Sequence, residues 1–287
     1  MFKQKLLIGL LLCTHSLVYA KLPYLNPIKK THLTECSSVF DDLMGYCFGR
    51  QNINMQKKRS KPITLFCKDL YEKNNLERVS PQKDPIIPKI VHLIWVGPKT
   101  PPPVFQKCLE SINEHLPTWE LKLWTDKDVP TLKLYNKKYY DEETNYGAKA
   151  DILRYELLYQ FGGLYLDVDM VVQKPLDILN HTYEFYVGLE TNFTPAVIGN
   201  ALIASVAGHS ILKECIENIK HSRNSSNILY RTGPMHFQES FFKVVRERDF
   251  PRVVALPAAY FYPHPRDPRD ETFTVHHWAG SWVEPHQ

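Results

Sequence analysis

The chain has 287 residues, 44% of them hydrophobic and 12% aromatic, enough apolar content for one large globular core. Its formal net charge is +4, and two of those charges, Lys3 and Lys5, fall within a first twenty residues that hold no acid. The remainder is close to balance, with a single dense basic run, KKRSK at 57–61, so no basic face or stripe for nucleic acid is expected.

In chain order, Lys3 and Lys5 precede the apolar run LLIGLLLCTHSLV, and VYA at 18–20 offers cleavage positions before Lys21. Residues 1–20 therefore read as an export signal, too short for an ordinary membrane span. The same leader serves secretion, a periplasm or a secretory-pathway lumen, and membrane contact is expected only if it stays uncleaved as an anchor. Residues 21–83 look like an appendage or stem, polar and carrying Cys36, Cys47 and Cys67. An exported chain can oxidise that cluster, while the five cysteines after Cys13 leave at least one thiol free. No cysteine or histidine spacing suits a zinc site. Sequons stand at Asn180, Asn192 and Asn224.

The Pro-rich segment 81–89 reads as an entry linker, and the pattern changes after it. KIVHLIWV (89–96) reads as a buried strand. Pro103 opens a helix with Val104, Cys108, Leu109, Ile112 and Leu116 at helical spacing. WELKLW (119–124) alternates as a strand does. GAKADILRYELLYQF (147–161) is a helix with Ala150, Leu153, Leu157 and Phe161 in one stripe, ended by Gly162 and Gly163. GLYLDVDMVV returns as a strand, YEFYVGLE and NALIAS follow as strands, and 209–221 and the segment from Pro234 as helices. Such alternation predicts an α/β domain over 84–287 with a mainly parallel sheet, its ligands beyond the carboxyl ends of the strands.

Two aspartates interrupt GLYLDVDMVV. On an extended strand Asp167 and Asp169 face one way, about 6.6 Å apart along the axis. Buried carboxylates need a positive partner, and oxygen donors suit Mg²⁺ or Mn²⁺, whose open positions substrate phosphates commonly fill. Asp151 and Arg154 share a face of the preceding helix, and the Gly162–Gly163 turn folds that helix back on the aspartate pair.

KADILRYELLYQFGGLYLDVDMVV, with PKIVHLIWVG (88–97) upstream and HHWAGSW (276–282) downstream, resembles the DXD-containing sugar transferases. These include fungal initiating mannosyltransferases, α-1,4-galactosyl and N-acetylglucosaminyl transferases, and the catalytic domains of large clostridial glucosylating toxins. The resemblance implies a GT-A-like fold and transfer of a hexose from a UDP- or GDP-sugar donor to a glycan, lipid or protein acceptor. It matches Trp95 to stacking on the base, Asp151 and Arg154 to donor sugar and ribose, Asp167 to ribose and sugar, and Asp169 to the Mn²⁺ or Mg²⁺ that bridges the diphosphate. His277, or else His276, is matched to the metal, and Ser281 and Trp282 to the diphosphate. Asn200 and Thr232–Pro234 stand where the family has recurring segments. Relatives retain anomeric configuration, and since no residue stands out in the sequence as a covalent nucleophile, a front-face substitution is expected.

Two rivals stay open at this level. Asp167-Val-Asp-Met-Val171 also satisfies the D-x-D-x-[TV] pattern of aspartyl-phosphate phosphatases, with Asp167 as nucleophile. An exported carbohydrate-binding module without turnover is the other.

Overall fold

The computed structural model describes residues 39–44, 61–191, 196–263 and 268–281. A short helix α1 (Val39–Leu43) and helix α2 (Lys61–Asn74) come first. Strand β1 (Ile90–Ile94), helix α3 (Val104–His115) and strand β2 (Glu120–Trp124) follow, then helices α4 (Lys137–Glu142) and α5 (Tyr146–Phe161). Next are strands β3 (Gly163–Leu166) and β4 (Met170–Val172), helix α6 (Asp177–Thr182), and strands β5 (Phe185–Glu190) and β6 (Val197–Ser205). Helices α7 (Ser210–Ser222), α8 (Ile228–Arg231) and α9 (Pro234–Val245) precede strand β7 (Val253–Leu256), helix α10 (Ala258–Phe261) and strand β8 (Thr274–His276).

Six strands form one sheet in the order β2-β1-β3-β6-β5-β7. β1 is parallel to β2 and β3, and β5 is parallel to β7. Only β6 runs against its neighbours, β3 and β5. The sheet is thus mixed but mostly parallel and flanked by helices, the GT-A-like class expected. Strands β3, β5 and β6 are buried at every position, which is why they read as continuous apolar runs, whereas the edge strand β2 is partly exposed.

Four details depart from the sequence reading. Helix α5 has no single apolar stripe: residues 151–158 are all buried, Asp151, Arg154 and Glu156 among them, while Phe161 is exposed. It is a central helix, and its charged groups are paired inside the protein. GLYLDVDMVV is not one strand either. β3 stops at Leu166, the aspartates occupy a turn closed by Met170 N–H to the Asp167 carbonyl (3.0 Å), and β4 leaves to pair with β8 in a separate two-stranded sheet.

Helix α2, within the segment expected as an appendage, contributes Cys67, Leu70 and Tyr71 to the common core, and its Asn74 amide donates to the Phe250 and Val253 carbonyls. Cys67, like Cys108 and Cys215, is a buried free thiol, and the other cysteines lie outside the described residues. The sequon at Asn180 is inaccessible: that side chain is fully buried, donates to the Ile87 carbonyl and accepts from the Tyr186 hydroxyl. Asn224 is exposed, and Asn192 lies outside the described residues, as does the expected leader.

Candidate active site

The site is assembled where α5, β3 and β6 meet the small β4–β8 sheet. α5 is started by Asn145, whose side chain accepts from Ala148 N–H, and ended by Gly162, whose N–H bonds the Leu158 carbonyl. Gly162 and Gly163 both have positive φ (64° and 103°), which L side chains avoid, so two glycines make the reversal from helix to strand. Asp167 continues the β3–β6 ladder by one further bond, its N–H donating to the Ala201 carbonyl at 2.8 Å. That bond fixes Asp167 at the carboxyl end of β3.

Around Arg154 the buried groups form one bonded network. Its Nη2 lies 3.0 Å from Asp151 Oδ1 and 3.3 Å from Asp167 Oδ1, Nη1 donates to the Asn200 carbonyl, and the guanidinium stacks over the Tyr165 ring at 4.4 Å. Asp151 also accepts from Asn200 Nδ2 (2.9 Å) and from Thr232 Oγ1 (2.9 Å). Tyr155 Oη donates to the Thr232 carbonyl, and Tyr165 Oη donates to Asp167 Oδ1 at 2.7 Å. Burial lifts the Asp151 carboxyl to about 6 against the pull of Arg154. Burial likewise raises Asp167, whose side chain is 29% exposed. Two acids converging on one cation would each prefer a second positive charge nearby.

Asp169 faces the other way, toward β8. Its Oδ1 lies 3.1 Å from His276 Nε2 and its Oδ2 accepts from Ala279 N–H at 2.7 Å. Burial works to raise this carboxyl, but those hydrogen bonds outweigh it and the net shift is downward. Ligand atoms of Asp167, Asp169 and His276 all lie within 4.8 Å of one another. The histidine brought to the pair is therefore His276 and not the His277 expected from the sequence. β8 pairs Met170 with His276 and ends there, leaving His276 buried against the pair and His277 exposed beyond the strand, its N–H bonded to the Asp169 carbonyl.

Two carboxylates and one imidazole fit a divalent cation that accepts oxygen and nitrogen donors, Mn²⁺ more readily than Mg²⁺. Two buried nitrogens at the site, Arg154 Nε and His276 Nδ1, have no hydrogen-bond partner among the described residues, as expected where a ligand completes the network.

The remaining expected residues fall in three groups. Asn200 and Thr232 join the network directly, with Thr232 holding Asp151 from α5 and Gly233 and Pro234 opening α9 behind it. Trp95 stands just beyond β1, half-buried, its indole N–H bound to the Lys99 carbonyl. Ser281 ends the described C-terminal segment with no polar contact to the site, and Trp282 lies outside the described residues.

Sequence reasoning missed Tyr165, Tyr155 and also Tyr262, whose ring packs 5.9 Å from that of His276, with Glu190 close beside it at Gly199. Tyr165 was reachable, since it stands two residues before Asp167 on the same strand face. The others come together through pairings remote in sequence.

With this geometry in view, the comparisons with known proteins are informative. Residues 102–186 match the family model described as "Glycosyltransferase sugar-binding region containing DXD motif". This segment is a DXD glycosyltransferase region. It holds Asp151, Arg154, Asp167 and Asp169, while Asn200 and His276 come from beyond its end. Similar proteins include inositol phosphoceramide mannosyltransferase 3 of Schizosaccharomyces pombe, 29% identical over 158 residues, covering 52% of this chain and 43% of that one. Inositol phosphoceramide mannosyltransferase 1 of the same yeast is 24% identical over 260 residues, 86% of this chain and 77% of the relative. Mouse lactosylceramide 4-alpha-galactosyltransferase is 30% identical over 122 residues, covering 40% of this chain and 32% of its own length. The chain spans about half the length of several curated relatives that it matches. Among solved structures, PaToxG Glycosyltransferase aligns with a TM-score of 0.49 at 19% identity, covering 69% of this chain and 82% of that one.

Proposed function

We propose that the chain is a metal-dependent, retaining glycosyltransferase that moves a hexose from a UDP- or GDP-linked donor to a glycan, lipid or protein acceptor. The observation that carries this reading is the convergence of Asp167, Asp169 and His276 donor atoms within 4.8 Å, beside Arg154, at the carboxyl end of β3. Asp169 and His276, with Asp167, would hold Mn²⁺ or Mg²⁺, which when bound supplies Lewis-acid stabilisation of the leaving diphosphate. Asp151 and Asn200 hold the Arg154 guanidinium in place, and Arg154 adds fixed positive charge that needs no reorganisation during reaction. Asp167, tied down by Tyr165 and Arg154, is placed to accept hydrogen bonds from ribose and sugar hydroxyls. Trp95, with Ser281 and Trp282, would complete base and diphosphate binding. Those same ties occupy the Asp167 oxygen Oδ1, which disfavours the phosphatase reading in which Asp167 is a free nucleophile.

The names of the relatives make mannose and galactose the first donor sugars to try, and inositol phosphoceramide and lactosylceramide the first acceptors. An export leader at 1–20 and a lumenal or extracellular location belong to the same proposal.

The test is release of nucleoside diphosphate from a panel of UDP- and GDP-sugars, with Mn²⁺, with Mg²⁺ and with chelator. Turnover of one donor that requires the metal and disappears in Asp169→Ala is the expected result. Silence across the panel, with no binding of any donor by the folded protein, would sink the reading and leave the phosphatase and carbohydrate-binding alternatives.

A further inference from the structure

We propose that Glu190 is a further catalytic residue of the transfer site, its carboxylate facing the anomeric carbon of the transferred sugar. This rests on the glycosyltransferase reading above. Glu190 ends β5 and pairs with Val197 of β6, whose other edge pairs with β3. Along the carboxyl edge of the sheet the order is therefore Trp95 after β1, Asp167 after β3, Asn200 near the start of β6, and Glu190 at the end of β5. A donor lying with its base at Trp95 and its diphosphate at Asp169 runs along this edge toward Glu190, and brings its sugar there.

Glu190 is 3% exposed, and among the described residues no hydrogen bond reaches its carboxylate. Burial disfavours the ionised form of this carboxyl, and a positive charge developing beside it would relieve that penalty. Room for it is reserved. A Cβ at Gly199 would lie 2.2 Å from Glu190 Oε1 and 2.7 Å from Tyr262 Oη, so only glycine at 199 leaves this carboxyl where it stands. The Tyr262 ring in turn sits 5.9 Å from the His276 ring, so Glu190 abuts the same wall as the candidate metal ligands. The charges it feels are those of His276, Asp167, Arg154 and Asp169, all members of the site. Burial raises this carboxyl to about 7, which leaves it able to answer a nearby positive charge by ionising.

In the proposed step the bond from the anomeric carbon to the diphosphate oxygen breaks, and the electron pair departs with the nucleoside diphosphate. The acceptor oxygen forms the new bond on the same face and passes its proton to the departing diphosphate. Glu190 forms no covalent bond. Its negative charge stabilises the positive charge that develops on the anomeric carbon, a contribution realised only in the transition state.

Glu190→Gln separates charge from shape. With wild type turning over a donor, the variant is expected to lose roughly 100-fold in kcat. Donor KM and the affinity for UDP or GDP, which lack the sugar, stay unchanged. Glu190→Ala is expected to regain part of its turnover in added formate, and Gly199→Ala, which displaces the carboxyl without removing it, to lower kcat in the same direction. A Gln variant with wild-type kcat overturns the proposal while leaving the glycosyltransferase reading intact. Parallel loss of kcat and nucleotide affinity also overturns it, because it would show a structural role. No turnover by the wild type on any donor removes the transferase reading and this proposal with it.

Discussion

Adjacent histidines at 276 and 277 differ by one position at the end of β8, and that single step separates a candidate metal ligand from a surface residue. His276 lies 3.1 Å from Asp169, with its ring packed 3.9 Å from that of Trp278, whereas His277 is exposed. His276→Ala should therefore weaken Mn²⁺ binding by roughly 10–100-fold, while His277→Ala leaves it within twofold. Electron paramagnetic resonance titration of free Mn²⁺ against each variant reads this directly, and the opposite ranking would reassign the ligand. The choice was not legible in HHWAG alone. It depends on the pairing of Met170 with His276, two residues 106 positions apart, and nothing local fixes that register. The aspartates were legible because carboxylates inside an apolar run are costly wherever they sit. Glu190 ends a similar run, FYVGLE, but a single acid at a strand end reads as an ordinary boundary. Only its burial and the close approach of Gly199 distinguish it.

At the scale of elements, the helix–turn–strand unit α5–β3 sets the positions of Asp151, Arg154 and Asp167 together. Gly163 is its hinge, with φ 103° and a notional Cβ only 2.6 Å from the Ile90 carbonyl oxygen, a backbone atom of the neighbouring strand. Gly163→Ala combines a disfavoured conformation with a clash that no rotamer relieves. It should cost about 1–3 kcal/mol or more and lower the calorimetric melting temperature by several degrees. Donor affinity should fall with it, since β3 must shift away from β1 and carries Asp167 along. Gly208, also at positive φ (73°) but with open space around its Cβ position, is the control, expected to lose less from the same substitution. Helix and turn were legible here because periodicity and the double glycine agree. The break at Asp167 was not, because β4 continues the apolar pattern of β3 while belonging to a different sheet. Periodicity reports burial but not which partner buries the strand.

For the whole molecule, keeping a charged site inside a core of this kind exchanges stability for function, and pH exposes the exchange. Glu190 carries an ordinary carboxyl value of 4.5 in the unfolded chain and, mainly through burial, about 7 in the folded one. Between those values the folded state holds the proton more tightly, so this group's contribution to stability falls as pH rises, and the full cost is present above pH 7. The conversion gives up to about 3 kcal/mol. His276 and Arg154 oppose that cost, Asp167 and Asp169 add to it, and the Tyr262 hydroxyl beside it stays protonated throughout. Other groups shift as well. His92 and His236 are pushed down to about 4 by burial, and His92 is further held neutral because its Nδ1 accepts from the Trp124 indole. Their contributions, lost as pH falls from 6.5 toward 4, run opposite to those of Asp151 and Glu190, so the stability of the wild type alone is a poor probe. The difference between Glu190→Gln and wild type cancels them. In chelator, melting temperatures of the two should coincide near pH 4.5, with the variant pulling ahead by several degrees above pH 7. A variant equally or less stable at pH 8 would mean that the carboxylate is already compensated in the free protein, and that no ligand is needed to account for its burial.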